Sequence, residues 1–390
     1  MLLDVNSPLP NESINRAQPW TTYDSDYLNR TFAVVEAFKN YPNTLLFFAG
    51  NEVINDDASG SVVPPYMRVS FPLLNFYAHG TLLCSNNPQA VTRDLKNYIK
   101  KNSARAIPVG YSAADVRDIL VDTWNYLQCT TTGDDSDPSR VDVFALNSYS
   151  WCGDSSFTTS GYNVLMSDLT GSSVPVFFSE YGCNVPAPRV FTEVPVIYGP
   201  LMTPVLSGGM VYEFSQEASN FGLVNINSDG SVNLLPDYAT LQKQFSSLNV
   251  TSLQGSAASQ KDTAAAPPQC SDSLIAASSF NSNFTLPAVP PGAQALIDNG
   301  IAHAPVGKIV HVTKTSVSQT VKDAQGNVMS GLSILPLSND QSNNPSTVSS
   351  TTSASTPSST KKSAAPSGAG MRNWLGLVVA GVVAVVCVAL

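Results

Sequence analysis

Glu52 and Glu180 are the residues with the most chemical promise. Each closes an apolar run of strand character: Thr44-Leu45-Leu46-Phe47-Phe48-Ala49-Gly50-Asn51-Glu52, and Val176-Phe177-Phe178-Ser179-Glu180-Tyr181-Gly182-Cys183-Asn184. In a (β/α) barrel the C-terminal ends of strands carry the catalytic side chains. Two carboxylates facing one cleft can cleave a glycosidic bond with no cofactor. One attacks the anomeric carbon to form a glycosyl-enzyme, while the other protonates the leaving oxygen and then activates the acceptor. A separation of about 5 Å would imply retention of configuration. Asn51, just before Glu52, is placed to hydrogen-bond a sugar 2-hydroxyl. Tyr149 and Tyr212 also sit at strand ends. There they suit positioning of the nucleophile or a sugar platform, and core or rim packing fits them equally. Taken singly, either glutamate also fits an exposed strand-end residue.

The elements that must position these residues alternate along the chain. Residues 2–5 read as a buried strand ending near Asp4. A helix follows, with Leu28, Phe32, Val35 and Phe38 at helical spacing and Ser25 or Asp26 as its cap. Next come a strand over 44–49, a short strand over 107–111, and a helix capped by Ser112 and carried by Val116, Ile119, Leu120 and Leu127. Then follow a strand over 143–147, a helix-like segment over 164–169, the strand of Glu180, a helix over roughly 190–206 and a last strand over 209–214. Strand–helix alternation at this interval argues for a parallel α/β architecture. Six strands ending in polar or aromatic residues favour a barrel over a dinucleotide fold, and no GxGxxG or P-loop pattern follows any strand.

Residues 1–255 are assigned to this partial barrel, with 69–89 as an atypical insertion that has neither helical nor clean strand periodicity. Composition shifts after 255. Residues 256–338 form a post-barrel region, within which 310–321 alternates in part as a β-hairpin would. Residues 339–367 are a Ser/Thr-rich stalk, suited to O-glycosylation or to simple disorder. Residues 368–390 end in a mostly apolar tail.

The chain has 390 residues, a net charge of -9 and only 13% charged residues. With a pI of about 4.7 it is a poor match for nucleic acid, whereas a neutral polar ligand needs no charged surface. His79, His303 and His311 have no metal-ligand spacing, so neither a metal nor another cofactor is expected. Sequons at Asn11, Asn29, Asn249 and Asn283 mark N-glycosylation candidates and, with six cysteines, point to secretion. The N-terminus shows no basic n-region or long apolar h-region, so no signal peptide is visible. Small residues including Ser363, Ser367 and Gly368, a short polar spacer and the apolar run 374–390 make a GPI-attachment signal. The competing reading, a single transmembrane anchor, wants about 20 apolar residues and a basic cytoplasmic flank. The expected location is the outer face of the plasma membrane and the cell wall.

Five motifs occur in one order: Phe48-Ala49-Gly50-Asn51-Glu52-Val53 with Asn55-Asp56-Asp57, Ile107-Pro108-Val109-Gly110-Tyr111-Ser112-Ala113, Tyr149-Ser150-Trp151-Cys152, Ser179-Glu180-Tyr181-Gly182-Cys183-Asn184, and Tyr212-Glu213-Phe214-Ser215-Gln216-Glu217-Ala218. Through them the chain resembles the fungal 1,3-β-glucanosyltransferases of glycoside hydrolase family 72 over about residues 1–270. The resemblance implies a (β/α)8 barrel that cuts an internal β-1,3-glucan linkage. The retained fragment is then joined to the non-reducing end of another glucan, elongating wall glucan. Glu52 would be the acid/base on the fourth strand and Glu180 the nucleophile on the seventh. Asp4, Asn51, Tyr149 and Tyr212 would be donor-site residues. A plain retaining β-1,3-glucanase and an inactive glucan-binding wall protein remain alternatives that no motif separates. The expected partners are glucan donor and acceptor and the GPI lipid, with a monomeric chain.

The resemblance also implies disulfides Cys152–Cys183 and Cys129–Cys270, leaving Cys84 and Cys387 unpaired. If Asp4 ends the third strand, the signal peptide and the first two strands are absent. Such a sheet would expose its edges. Segment 69–89 begins Val-Ser and ends in Gln, as a retained intron running from GTGAGT to CAG would encode. The expectation is a truncated or mis-predicted gene product.

Overall fold

Strands buried on both faces must be apolar nearly throughout, and the runs around both glutamates are. The computed structural model describes residues 1–9, 11–68, 91–249, 253, 265–284 and 290–334. In chain order the main elements are β1 (Leu2–Asp4), α1 (Ser25–Phe38), β2 (Leu46–Asn51), α2 (Asp57–Val62), α3 (Pro64–Met67), α4 (Val91–Asn102), β3 (Val109–Ala114), α5 (Arg117–Gln128), β4 (Val143–Ser148), α6 (Tyr162–Asp168), β5 (Val176–Tyr181), α7 (Val194–Ile197) and β6 (Leu206–Val211). After them come β7 (Val224–Ile226), β8 (Val232–Leu234), α8 (Pro236–Ser246), α9 (Ala293–Asn299) and β9 (Val321–Lys322).

β1 to β6 form one all-parallel sheet in chain order, the arrangement of a partial (β/α)8 barrel. Alternation along β2 divides the core. Phe47 and Ala49 join the large cluster that the helices cover, whereas Leu46 and Phe48 join Ala145 on the opposite face, against Leu2, Val143 and Phe177. β7 and β8 are antiparallel, and β9 adds in parallel to β8, so the post-barrel region completes a sheet that begins before residue 255. α9 packs on α4 and α1. Cys129 bonds to Cys270, with Cα atoms 5.1 Å apart across 141 positions of sequence, and Cys152 bonds to Cys183.

Several local expectations need correction. α1 is capped by Asp24, which accepts from Tyr27 N at 2.8 Å, and not by Ser25 or Asp26. Ser112 caps nothing: it lies inside β3, and α5 starts at Arg117 without a side-chain cap. The helix expected over 190–206 shrinks to the single turn α7, because Pro195, Pro200 and Pro204 deny it backbone donors. The last barrel strand runs Leu206–Val211, not 209–214, so Gly208 and Gly209 lie inside it and do not mark its start. They serve close approach instead: a Cβ on Gly209 would sit 2.9 Å from Phe178 Cβ. No hairpin forms over 310–321; β9 is two residues long, with isolated bridges at Ser316–Ser333 and Lys322–Val328.

Segment 69–89 with Cys84, the stalk 339–367 with Ser363 and Ser367, and the tail 368–390 with Gly368 and Cys387 lie outside the described residues. No helix among the described residues is long and apolar enough to cross a membrane. Asn11, Asn29, Asn249 and Asn283 are all exposed.

Glu193, beside α7, is 3% exposed. Burial pushes its carboxyl up to about 7, against a downward pull from Arg189, and the phenols of Tyr162 and Tyr181 also face it. The folded state therefore keeps a proton that the unfolded chain releases near 4.5, so this group's contribution to stability falls as pH rises from about 4.5 to about 7. Glu193→Gln should flatten that fall by on the order of 3 kcal/mol, read by urea unfolding across this pH window. An unchanged pH slope would refute the assignment.

Candidate active site

Both glutamates follow an irregularity in the sheet. Between β2 and β3 the register passes from Phe48–Gly110 to Asn51–Ser112, so β2 carries one extra residue just before Glu52. Between β4 and β5 it passes from Leu146–Phe178 to Asn147–Glu180, so Ser179 is the extra residue before Glu180. Each bulge re-aims the side chains after it. Glu52 then adopts φ +50°, a left-handed conformation that costs a β-carbon residue about 1–2 kcal/mol. It is pinned there by its own N–H, which donates to Ser112 O at 2.8 Å. Two residues on, Ile54 N donates to the buried Tyr111 hydroxyl at 2.8 Å, and α2 starts from a capping box between Asp56 and Ser59.

Asn147, at the end of β4, joins the two sites. Its Oδ1 lies 3.0 Å from Ser112 Oγ and 2.7 Å from Ser179 Oγ, and the hydroxyls are 2.7 Å from each other. A carbonyl oxygen only accepts, so the hydroxyls fix which way the amide faces. Its Nδ2 donates to Glu52 Oε1 at 2.9 Å and to Asn51 Oδ1 at 3.0 Å, which engages both amide hydrogens. Asn147 is also the register partner of Glu180 across β4 and β5, so it stands beside both carboxylates.

Burial raises the Glu180 carboxyl above its ordinary range, the hydrogen bond from Tyr149 opposes that shift, and the negative charge of Glu52 adds to it. Tyr149 Oη donates to Glu180 Oε2 at 2.5 Å. The Tyr149 phenol is itself held far above its usual range by burial and by the Glu180 charge, so it stays a donor. The Tyr149 ring meets Tyr212 edge-on at 6.2 Å and Phe221 at 5.4 Å, and Tyr212 meets Phe221 at 5.4 Å. Burial, then the charge of Glu213, pushes the Tyr212 phenol up to about 12. The three rings make an aromatic wall beside Glu180.

Asn51 is exposed at the end of β2, with its oxygen toward Asn147. Asp4 stands at the same end of the sheet on β1, held by Asn6, whose N and Nδ2 donate to its Oδ1 at 2.9 and 2.8 Å. Burial raises its carboxyl to about 6. Thus Glu52, Glu180, Asn51, Tyr149 and Tyr212 come together, with Asp4 apart in its own hydrogen-bonded turn. The sequence reading missed Asn147, Ser112, Ser179 and Phe221. Polar residues inside otherwise apolar strands were the available signal for the first three.

The family model described as Glucanosyltransferase (glycoside hydrolase family 72) matches residues 1–78 and 83–249. The chain is 47% identical over 345 residues to the 1,3-beta-glucanosyltransferase gel2 of Aspergillus fumigatus, covering 88% of this chain and 67% of that protein. It is 40% identical over 356 residues to the probable 1,3-beta-glucanosyltransferase GAS3 of Saccharomyces cerevisiae, covering 88% and 62%. A solved structure of Saccharomyces cerevisiae Gas2p in complex with laminaritetraose and laminaripentaose superposes with a TM-score of 0.58 at 31% identity, covering 75% of this chain and 57% of that one. The chain thus spans about two thirds of the length of gel2 and less of the other two.

Tyr149→Phe removes a donor that favours the Glu180 anion, so the Glu180 pKa should rise further, by about one unit. A ¹³C-carboxyl NMR titration reads this directly, with Glu180→Gln identifying the resonance. A titration identical to that of the unaltered chain would show that the hydroxyl does not tune Glu180.

Proposed function

Because the chain belongs to the glucanosyltransferase family of glycoside hydrolases, we propose that it is a retaining transglycosylase of β-1,3-glucan. Glu180 attacks the anomeric carbon at an internal linkage. The bond from that carbon to the bridging oxygen breaks, and Glu52 gives its proton to the departing oxygen. The retained fragment is then held as an ester on Glu180. A hydroxyl at the non-reducing end of a second glucan loses its proton to Glu52 and attacks the same carbon, releasing Glu180 and closing a new β-1,3 linkage. Two inversions give net retention.

The observation that carries this reading is that the two carboxylates share a neighbour: Asn147 donates to Glu52 and is the register partner of Glu180, to which Tyr149 donates. Burial and the charge of Glu52 raise the Glu180 carboxyl, and the hydrogen bond from Tyr149 offsets part of that rise in favour of the attacking anion. Asn51, Tyr149, Tyr212 and Asp4 are read as the donor-site residues. The aromatic wall offers flat apolar faces of the kind sugar rings stack on. The laminari-oligosaccharides bound to the related Gas2p are the matching substrate class. The small-residue run with Ser363, Ser367 and Gly368 ahead of an apolar tail supports GPI attachment, and so a place at the outer membrane face and in the wall. We read the chain as a monomer.

The test is incubation of the full chain with a reduced laminari-oligosaccharide acceptor and an unreduced donor. Products longer than the donor mean transfer. Products that are only shorter mean a glucanase, and binding without turnover means a wall-binding protein. Glu180→Gln and Glu52→Gln should each cut turnover roughly 10³-fold or more while the thermal midpoint stays close to that of the parent. Full turnover in either variant would remove that residue from the mechanism.

A further inference from the structure

Arg189 lies in the loop between β5 and α7 and is 2% exposed. A guanidinium has five N–H groups, and here all five meet acceptors. Nε donates to Asp237 Oδ2 of α8 at 2.6 Å. Nη1 donates to Tyr212 O at 2.7 Å and to Gly182 O at 3.4 Å. Nη2 donates to Phe221 O at 2.5 Å and to Gly222 O at 3.2 Å. The guanidinium carbon also stands 4.9 Å from the centroid of Phe191 and 6.0 Å from that of Phe221.

The identity of the acceptors is what matters. Two of them are the carbonyls of the residues that bear the rings of the aromatic wall, Tyr212 and Phe221. A third, Gly182, lies two residues after Glu180. A displaced carbonyl turns its own Cα–Cβ bond, so the clamp sets where the rings stand. The third ring, Tyr149, is fixed separately by its bond to Glu180. We infer that Arg189 is a positioning residue: through the carbonyls of Tyr212 and Phe221 it sets the spacing of the aromatic wall that receives the sugar, and Asp237 anchors it from α8. This rests on the glucan-transfer reading of the same site. A lysine cannot replace it, because three donors on one ammonium cannot reach four carbonyls and a carboxylate in a fixed plane.

The full 390-residue chain carrying Arg189→Lys or Asp237→Asn, with laminaripentaose as donor, tests the inference. Arg189→Lys should raise KM about tenfold while kcat stays within about threefold, since a misplaced wall costs binding ahead of chemistry. The acid limb of the kcat profile should stay where it is. Asp237→Asn keeps Arg189 but weakens its anchor, and should raise KM by about threefold. A merely structural cation would lower the active fraction, so kcat would fall with KM unchanged, and that pattern overturns the inference. If Arg189→Lys does not fold, Asp237→Asn decides by the same KM criterion. If the unaltered chain does not turn laminaripentaose over, the catalytic reading fails on its own. The clamp is then judged from the laminaripentaose dissociation constant in the Glu180→Gln background: about tenfold weakening with Arg189→Lys supports it, and an unchanged value overturns it.

Discussion

Two carboxylates brought to one end of a sheet repel, and burial of one makes the repulsion worse. The Asn147 amide is the interaction that makes such a pair tenable. It donates to Glu52 and stands in register beside Glu180, without adding a competing charge. Its orientation is not free, because Ser112 and Ser179 occupy the oxygen side. Those serines come from the strands on either side of β4, so three neighbouring strands must be in register before the amide can face the right way. The chemistry of the site therefore depends on sheet register more than on any loop. Much of the surrounding detail serves that register, including the bulges before Glu52 and Glu180.

A good part of this was legible in the sequence. Apolar runs ending in Asn51-Glu52 and Ser179-Glu180 signalled strand ends, and the structure has β2 and β5 there. The strand–helix alternation gave the parallel sheet, and the family motifs gave the barrel class. What escaped is explained by range. Asn147 matters through partners 32 to 96 positions away, which no local pattern encodes. Ser112 looks like a helix cap because serine before an apolar-periodic run usually is one, and only β4 and β5 beside it reveal another use. The early start of β6 was missed because the use of its glycines shows only in their neighbours, Tyr198 beside Gly208 and Phe178 and Tyr181 on β5 beside Gly209. The helix expected over 190–206 failed for a purely local reason: its prolines were present in the sequence and should have outweighed the apolar spacing.

Membership of the glucanosyltransferase family and the geometry of the site are separate observations. Family membership comes from alignment along the chain, whereas the amide bridge comes from strand pairing across it. In the proposed transfer Glu52 and Glu180 are the reacting pair. Tyr149 then has a dual standing, as a donor to one carboxylate and as a member of the aromatic wall. A change at this one side chain reaches both the charge of Glu180 and the shape of the sugar shelf.

The Cys152–Cys183 bond has a mechanical consequence. It joins the loop after β4 to the loop after β5, while Asn184 Nδ2 donates to Ser219 O and Asn220 O in the loop after β6 at 3.0 and 3.1 Å. Three successive loops on this flank are thereby tied into one edge. A flank fastened in this way cannot swing aside as a gate. On the opposite flank the loops after β1 and β2 carry no disulfide among the described residues. Among the described residues, covalent crosslinking of the strand-end loops is thus confined to one flank of the site.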